Sequence, residues 1–259
     1  MSHPAEIVIR VRNLKVGYGD TVVLQNINFQ VECGEVFVIL GGSGSGKSTL
    51  LKNLIGLHAP LEGEIWIEGT NLVRATGDER RNLLHKFGVA YQSGALFGSM
   101  NLLENVRLPL DELTALPEPL KELTALAKLK LVGLGAAVQK MPAELSGGMQ
   151  KRAAIARAMA LDPRILFLDE PSAGLDPVTS ADLDLLITEL ARQFGITFVI
   201  VTHELASINK IADRVIMLDN RTRTIVAEGR PAELRDSAEP WVHRFFNREP
   251  DAVASGLHL

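Results

Sequence analysis

The stretch Gly41-Gly42-Ser43-Gly44-Ser45-Gly46-Lys47-Ser48 decides the fold. It fits the pattern G-x-x-x-x-G-K-[ST], whose glycines let consecutive backbone N–H groups close around phosphate oxygens. Its flanks agree. Val36-Phe37-Val38-Ile39-Leu40 before it is apolar throughout and partly β-branched, as a strand buried on both faces must be. From Ser48 to Leu57, Leu50, Leu51, Leu54 and Ile55 recur at helical spacing. Strand, glycine loop and helix in that order aim a helix N-terminus, with its partial positive charge, at an anion. Lys47 is expected to reach the β- and γ-phosphates, Ser48 to ligate Mg2+, and Thr49 to add a donor.

Upstream, Ile7 to Val16, Thr21 to Val31 and Glu64 to Glu68 alternate apolar and polar residues between glycine turns, and read as mostly antiparallel strands. From about Leu102 to Leu161 the pattern is mainly helical, with Pro109, Pro117, Pro119 and Pro142 expected to divide it into several helices. Strands then alternate with helices again: Ile165 to Leu168, Ala181 to Arg192, Thr197 to Thr202, Leu205 to Ala212, Arg214 to Leu218 and Thr224 to Ala227. That rhythm implies an α/β fold with a mainly parallel sheet, interrupted by a helical insertion.

The 259 residues carry a formal net charge of −4, which disfavours a nucleic-acid partner held through phosphate charge. A single cysteine, Cys33, can build neither a disulfide framework nor a cysteine-rich zinc site, and fits a reducing compartment. The N-terminal residues lack the basic and apolar regions of a signal peptide. The apolar runs are of strand length, far short of the roughly 20 residues a bilayer span needs, so any membrane-crossing segments are expected in other chains.

Two further stretches carry chemistry. Ile165-Leu166-Phe167-Leu168-Asp169-Glu170 is an apolar strand ending in two acids, and neighbours on a strand point to opposite faces. Asp169 is expected to hold Mg2+ or its water, and Glu170 to polarise an attacking water. Leu145-Ser146-Gly147-Gly148-Met149-Gln150-Lys151-Arg152 opens a helix expected over Gln150 to Leu161. With Ser146 as N-cap and two exposed glycine N–H groups, it forms a second anion-binding helix end.

In these motifs and their order the sequence resembles the nucleotide-binding domain of ABC ATPases over nearly its whole length. Gly41 to Thr49 matches the Walker A loop (Gly41, Gly42, Ser43, Gly44, Ser45, Gly46, Lys47, Ser48, Thr49), Leu145 to Gln150 the signature, Asp169 the Walker B aspartate and Glu170 the catalytic glutamate. Tyr18 resembles the aromatic that stacks on adenine, and Gln92 the glutamine that touches Mg2+ and senses the transmembrane partner. Ser172 to Asp176 resembles the D-loop, and His203 the switch histidine that contacts the γ-phosphate. The resemblance implies a RecA-like P-loop NTPase core with an antiparallel β subdomain and an inserted ABC-type helical subdomain at about 93–161. It implies one domain over 1–248 and a loose tail over 249–259. ATP and Mg2+ are the implied cofactors. Two copies are expected to face head to tail, so that Ser146, Gly147, Gly148 and Asp176 of one meet the ATP of the other.

The segment Gln92 to Asn101, followed by Glu104-Asn105-Val106 and Leu108-Pro109-Leu110, resembles the ATPases of lipid transporters that work with mammalian-cell-entry (MCE) proteins, of the maintenance-of-lipid-asymmetry type. That implies permease subunits, an MCE-domain partner and a place on the cytoplasmic face of a bacterial inner membrane. The alternative is the ATPase of an uptake system for polar amino acids or another small solute. Pro171 to Pro177 departs from the variant D-loop of some asymmetry-system ATPases. Near the end, Trp241 and Phe245 are weighed as docking either on a partner protomer or on their own domain.

Overall fold

A computed structural model describes residues 6–249; the tail expectation beyond Glu249 lies outside them. The chain begins β1 (Ile7–Tyr18), β2 (Thr21–Glu32), β3 (Val36–Gly41), α1 (Lys47–Leu54), β4 (Glu62–Ile67), β5 (Thr70–Asn71), α2 (Gly77–Leu84) and β6 (Phe87–Ala90). A helical lobe follows: α3 (Leu102–Leu113), α4 (Glu118–Leu131) and α5 (Gly147–Ala158). The chain then returns to strands with β7 (Ile165–Asp169), α6 (Pro177–Phe194), β8 (Thr197–Val201), α7 (Leu205–Ile211), β9 (Arg214–Asp219) and β10 (Thr224–Gly229). Two short helices, α8 (Pro231–Leu234) and α9 (Pro240–Asn247), close it.

The strands form a sheet ordered β2-β1-β4-β5 and a second ordered β10-β9-β3-β8-β7-β6. The first is antiparallel throughout. In the second, β9, β3, β8, β7 and β6 run parallel, and β10 joins antiparallel at the edge. The apolar runs read from the sequence are its central strands, and period-two alternation splits them between two cores. Val38, Leu40, Leu166, Leu168, Phe198 and Ile200 face the helices. Phe37, Ile39, Phe167, Val199 and Val201 face α1 and the antiparallel sheet.

Several boundaries shift from the sequence reading. Pro109 does not divide the lobe but lies inside α3, and Pro119 is in the first turn of α4, where a missing N–H costs nothing. The signature helix starts at Gly147 rather than Gln150, because the Ser146 hydroxyl accepts from the Met149 N–H at 3.3 Å. Helix α6 starts at Pro177 rather than Ala181, because the Asp176 carboxylate caps it through the Val178 and Thr179 N–H groups at 3.0 and 3.1 Å. Trp241 and Phe245 are partly buried and pack on their own core, beside the buried Val242 and Phe246. Trp241 also reaches the glycine loop: a Cβ on Gly42 would stand 3.6 Å from its Cζ2.

The lobe is pinned by Asn105, which is fully buried on α3. Its Oδ1 accepts from the Phe97 N–H at 2.8 Å, and its Nδ2 donates to the carbonyls of Phe97, Met100 and Asn101 at 3.1, 2.9 and 3.0 Å. One side chain therefore fixes the turn that holds Phe97 half exposed above the lobe.

Candidate active site

Parallel neighbours bring their carboxyl ends to one edge. The glycine loop leaves β3, His203 follows β8, Asp169 ends β7, Glu170 follows it, and Gln92 follows β6. Strand order thus collects residues that are far apart in the chain. Two backbone bonds extend the sheet to this edge, from the Glu170 N–H to the Val201 carbonyl (2.8 Å) and from the Thr202 N–H to the Ile39 carbonyl (3.3 Å).

The glycine loop is shaped as its sequence requires. Gly46 has φ 94°, and a Cβ there would stand 2.9 Å from both Leu24 Cγ and Val23 Cγ1. A Cβ on Gly41 would meet Ser45 Oγ at 2.3 Å. Lys47 Nζ donates to the Gly41 and Gly42 carbonyls at 2.8 and 3.1 Å, within its own loop. Burial pulls the Lys47 ammonium below its ordinary pKa, while Glu170 and Asp169 pull it back up. Tyr18 is 48% exposed at the end of β1. It stands edge-on to His58 at 5.6 Å, with its Oη 3.4 Å from Thr49 Oγ1, so it borders the loop with ring surface open to a planar base.

The two acids differ. Glu170 lies in the left-handed region at φ 46°, and its Oε1 is 2.8 Å from His203 Nδ1. Its Oε2 is buried with no partner, and so is Asp169 Oδ1. Buried carboxylate oxygens without donors are costly unless a cation or water completes them. Asp169, the Ser48 hydroxyl and the Gln92 amide oxygen are all oxygen donors, the chemistry that Mg2+ takes, an ion that keeps several waters and needs few protein ligands. No group of three His, Cys, Asp or Glu of the kind that cages a metal occurs among the described residues.

Burial, and after it the charge of Glu170, push the Asp169 carboxyl above its ordinary pKa, against Lys151, Lys47 and Lys52. A raised carboxyl pKa means that the folded chain binds the extra proton. Stability therefore falls as pH rises from the ordinary carboxylate range through the raised value, and the penalty persists above it. Asp169→Asn should accordingly melt at a higher temperature than the parent near neutral pH without nucleotide, with the gap closing as pH falls into the carboxylate range. Thermal melts across pH check this; the same variant should lose the extra stabilisation that Mg2+ gives the parent with ATP.

The signature end is built as a separate element. A Cβ on Gly148 would stand 2.4 Å from Thr179 Cγ2, and one on Gly147 would stand 3.3 Å from Leu175 Cδ2, so the two glycines let α5 close on the first turn of α6 and on the segment before it. Asp176 spends its carboxylate on capping α6 and on the Thr179 hydroxyl at 2.5 Å. Those bonds hold its pKa below the ordinary value. Among the described residues, no hydrogen bond or ion pair joins Ser146, Gly147 or Gly148 to the glycine loop.

Sequence reasoning missed two residues here, Lys151 and Arg157 of α5. Lys151 Nζ donates to the Gln92 carbonyl and to the Glu170 carbonyl, the latter at 3.2 Å. Arg157 donates to the Ala95 carbonyl at 2.7 Å and the Gly94 carbonyl at 3.0 Å. The available signal was weak: Lys151 and Arg157 flank a stretch that includes the apolar run Ala153 to Ala156, which reads as a buried helix face.

An edge with backbone donors on one strand and carboxylates two strands away suits a nucleoside triphosphate, and the fold and site together define a P-loop nucleotide-binding protein. Relatives narrow this. Residues 24–173 match the ABC transporter family. The chain is 42% identical over 244 residues to the probable ribonucleotide transport ATP-binding protein mkl of Mycobacterium leprae (strain TN), covering 94% of this chain and 70% of that one. It is 39% identical over 249 residues to the intermembrane phospholipid transport system ATP-binding protein MlaF of Escherichia coli (strain K12), covering 96% and 90%. Among solved structures it superposes on cbiO1 of Clostridium perfringens, part of an ABC transporter complex, with TM-score 0.82 and 31% identity, over 94% of this chain and 95% of that one. It also superposes on a dimeric ATP-binding cassette in a post-hydrolysis state with ADP and Pi, with TM-score 0.76 and 32% identity, over 86% and 98%. The chain belongs to the ABC transporter family, as one of its ATP-binding subunits. No described helix is long and apolar enough to cross a membrane.

Proposed function

We propose that the chain hydrolyses ATP as one half of a two-site dimer and powers phospholipid transport through permease subunits and an MCE-type lipid-binding partner. The observation that carries the ATPase reading is the Glu170–His203 pair at 2.8 Å, with a second carboxylate oxygen of Glu170 buried and free to accept a water proton. In this reading Gly41 to Thr49 cradle the phosphates, Lys47 bonds the outer ones, and Tyr18 stacks on the base. Glu170 takes the proton of the attacking water, and His203 orients Glu170 and meets the γ-phosphate. Ser48, Gln92 and Asp169 would hold Mg2+, which supplies charge neutralisation at the phosphates when bound.

The separation of Ser146, Gly147 and Gly148 from the chain's own cradle supports a partner's ATP as their ligand, with Asp176 beside them in the dimer contact. Residues 93–161 serve as the helical subdomain that meets the permease, within one domain over 1–248. The subunit then works peripherally on the cytoplasmic face of a bacterial inner membrane. Phospholipid as cargo is supported by the likeness to MlaF over 96% of the chain. A second reading, ribonucleotide or other small-solute transport, is favoured by the likeness to the mycobacterial relative, a probable ribonucleotide transport ATP-binding protein. Pulling the chain from detergent-solubilised membranes, with mass spectrometry of partners and bound lipids, separates the two. A permease with an MCE-domain protein and phospholipid supports the first; a permease with a small-solute binding protein overturns it and leaves the ATPase reading standing.

A further inference from the structure

Two residues at the site are non-glycine yet left-handed: Ala95 at φ 48° and Glu170 at φ 46°. Such a conformation costs about 1 kcal/mol or more and persists only where the surroundings over-determine it. Both carry a carbonyl bonded by a cation of α5, Arg157 for Ala95 and Lys151 for Glu170. The same two cations also bond the Gln92 and Gly94 carbonyls, so the loop after β6 is held at two points of its first half. Burial lowers the pKa of each, and Asp169, Glu170 and Glu204 keep the Lys151 ammonium charged against it.

We propose that Lys151 is a positioning residue for hydrolysis, tying the backbone at Gln92 and at Glu170 to the signature helix so that both follow any displacement of the helical lobe. Arg157 anchors the same loop two to three residues further on, at Gly94 and Ala95. The inference rests on the ATPase reading of Glu170, since it assigns Lys151 a task in presenting that carboxylate. The physical consequence is a mechanical link between the lobe and the two carbonyls. Helix α5 touches β6 and the lobe helices α3 and α4, so a push delivered to the lobe reaches the backbone of both Glu170 and Gln92 through the Lys151 ammonium, beside the direct packing of α5 on β6. Among the described residues, the hydrogen bonds of Lys151 Nζ go to the Gln92 and Glu170 carbonyls, so it fixes where the reacting groups stand without entering the chemistry.

The test compares Lys151→Met, which keeps the aliphatic stem, with Lys151→Arg, which keeps the donors, in the full chain, with Glu170→Gln as reference. Amide hydrogen exchange reads the tether directly. Lys151→Met should speed exchange about tenfold or more in both 91–97 and 170–174, while Glu170→Gln leaves it unchanged. ATP affinity, measured with a fluorescent ATP analogue, should stay within about twofold of the parent, while kcat falls roughly 10- to 100-fold and Lys151→Arg restores most of it. Unchanged exchange in either segment overturns the proposal. So does a loss of kcat matched by an equal loss of nucleotide affinity and not restored by Arg, which marks a merely structural lysine. A parent protein that hydrolyses no ATP would refute the functional reading, and the exchange arm would still decide whether Lys151 holds the two segments.

Discussion

Replacing Glu170 by glutamine is expected to lower ATP turnover by about 10²- to 10⁴-fold, the range a general base contributes, while nucleotide affinity stays within about twofold. The amide keeps the shape of the side chain and can still bond His203 Nδ1, now 2.8 Å from the carboxylate. What it loses is the capacity of the buried Oε2 to take a proton. The phosphate cradle belongs to β3 and α1, two strands away, so binding has no reason to change. Steady-state turnover together with equilibrium nucleotide binding checks both halves. A fall in affinity parallel to the fall in kcat would place Glu170 in ground-state binding instead. Because hydrolysis is blocked after binding, the variant should also accumulate as a dimer with ATP, visible by light scattering.

Gly88→Ala should be strongly destabilising. Gly88 lies on β6, and a Cβ there would stand 2.0 Å from the Ala158 carbonyl oxygen and 2.8 Å from Leu166 Cδ2. A backbone carbonyl at the end of α5 cannot rotate aside, so the helix or the strand must shift. The expected cost is about 3 kcal/mol, the upper part of the range for overpacking. Against a total stability of roughly 5–15 kcal/mol that is a large share, and it lowers the melting temperature by on the order of 10 °C. The displaced segment is the turn that carries Arg157, so the loop held at Gly94 and Ala95 should loosen as well. Differential scanning calorimetry measures the first effect and amide exchange over 91–97 the second. A variant that melts with the parent would show that the two elements separate at little cost.

The phosphate cradle, the acid pair and the signature were legible in the sequence because each is local. Wrapping phosphates takes consecutive N–H groups, capping a helix takes a side chain within three residues, and both leave a pattern of neighbouring residue types. The buried strands were legible for a similar reason, since a strand covered on both faces is apolar at every position. Helix α2 and strand β6 were not read. α2 buries little besides Leu83, and β6 has only four residues, so neither carries enough periodicity. Pro109 misled because a proline rule speaks of isolated helices, and α3 is held by Asn105 and the lobe around it.

By itself, then, the sequence determined which chemical groups this protein has and in which short segments they lie. Only the tertiary structure decided who meets whom. The meeting of Glu170 with His203, of Lys151 with Gln92, and of Gly88 with Ala158 follows from β8 lying between β3 and β7, and from α5 closing over β6. Those contacts join residues 33, 59 and about 70 positions apart, as loop closure freely permits. No periodicity along the chain records them, because strand order is selected by the burial of whole faces and not by any one segment's own pattern.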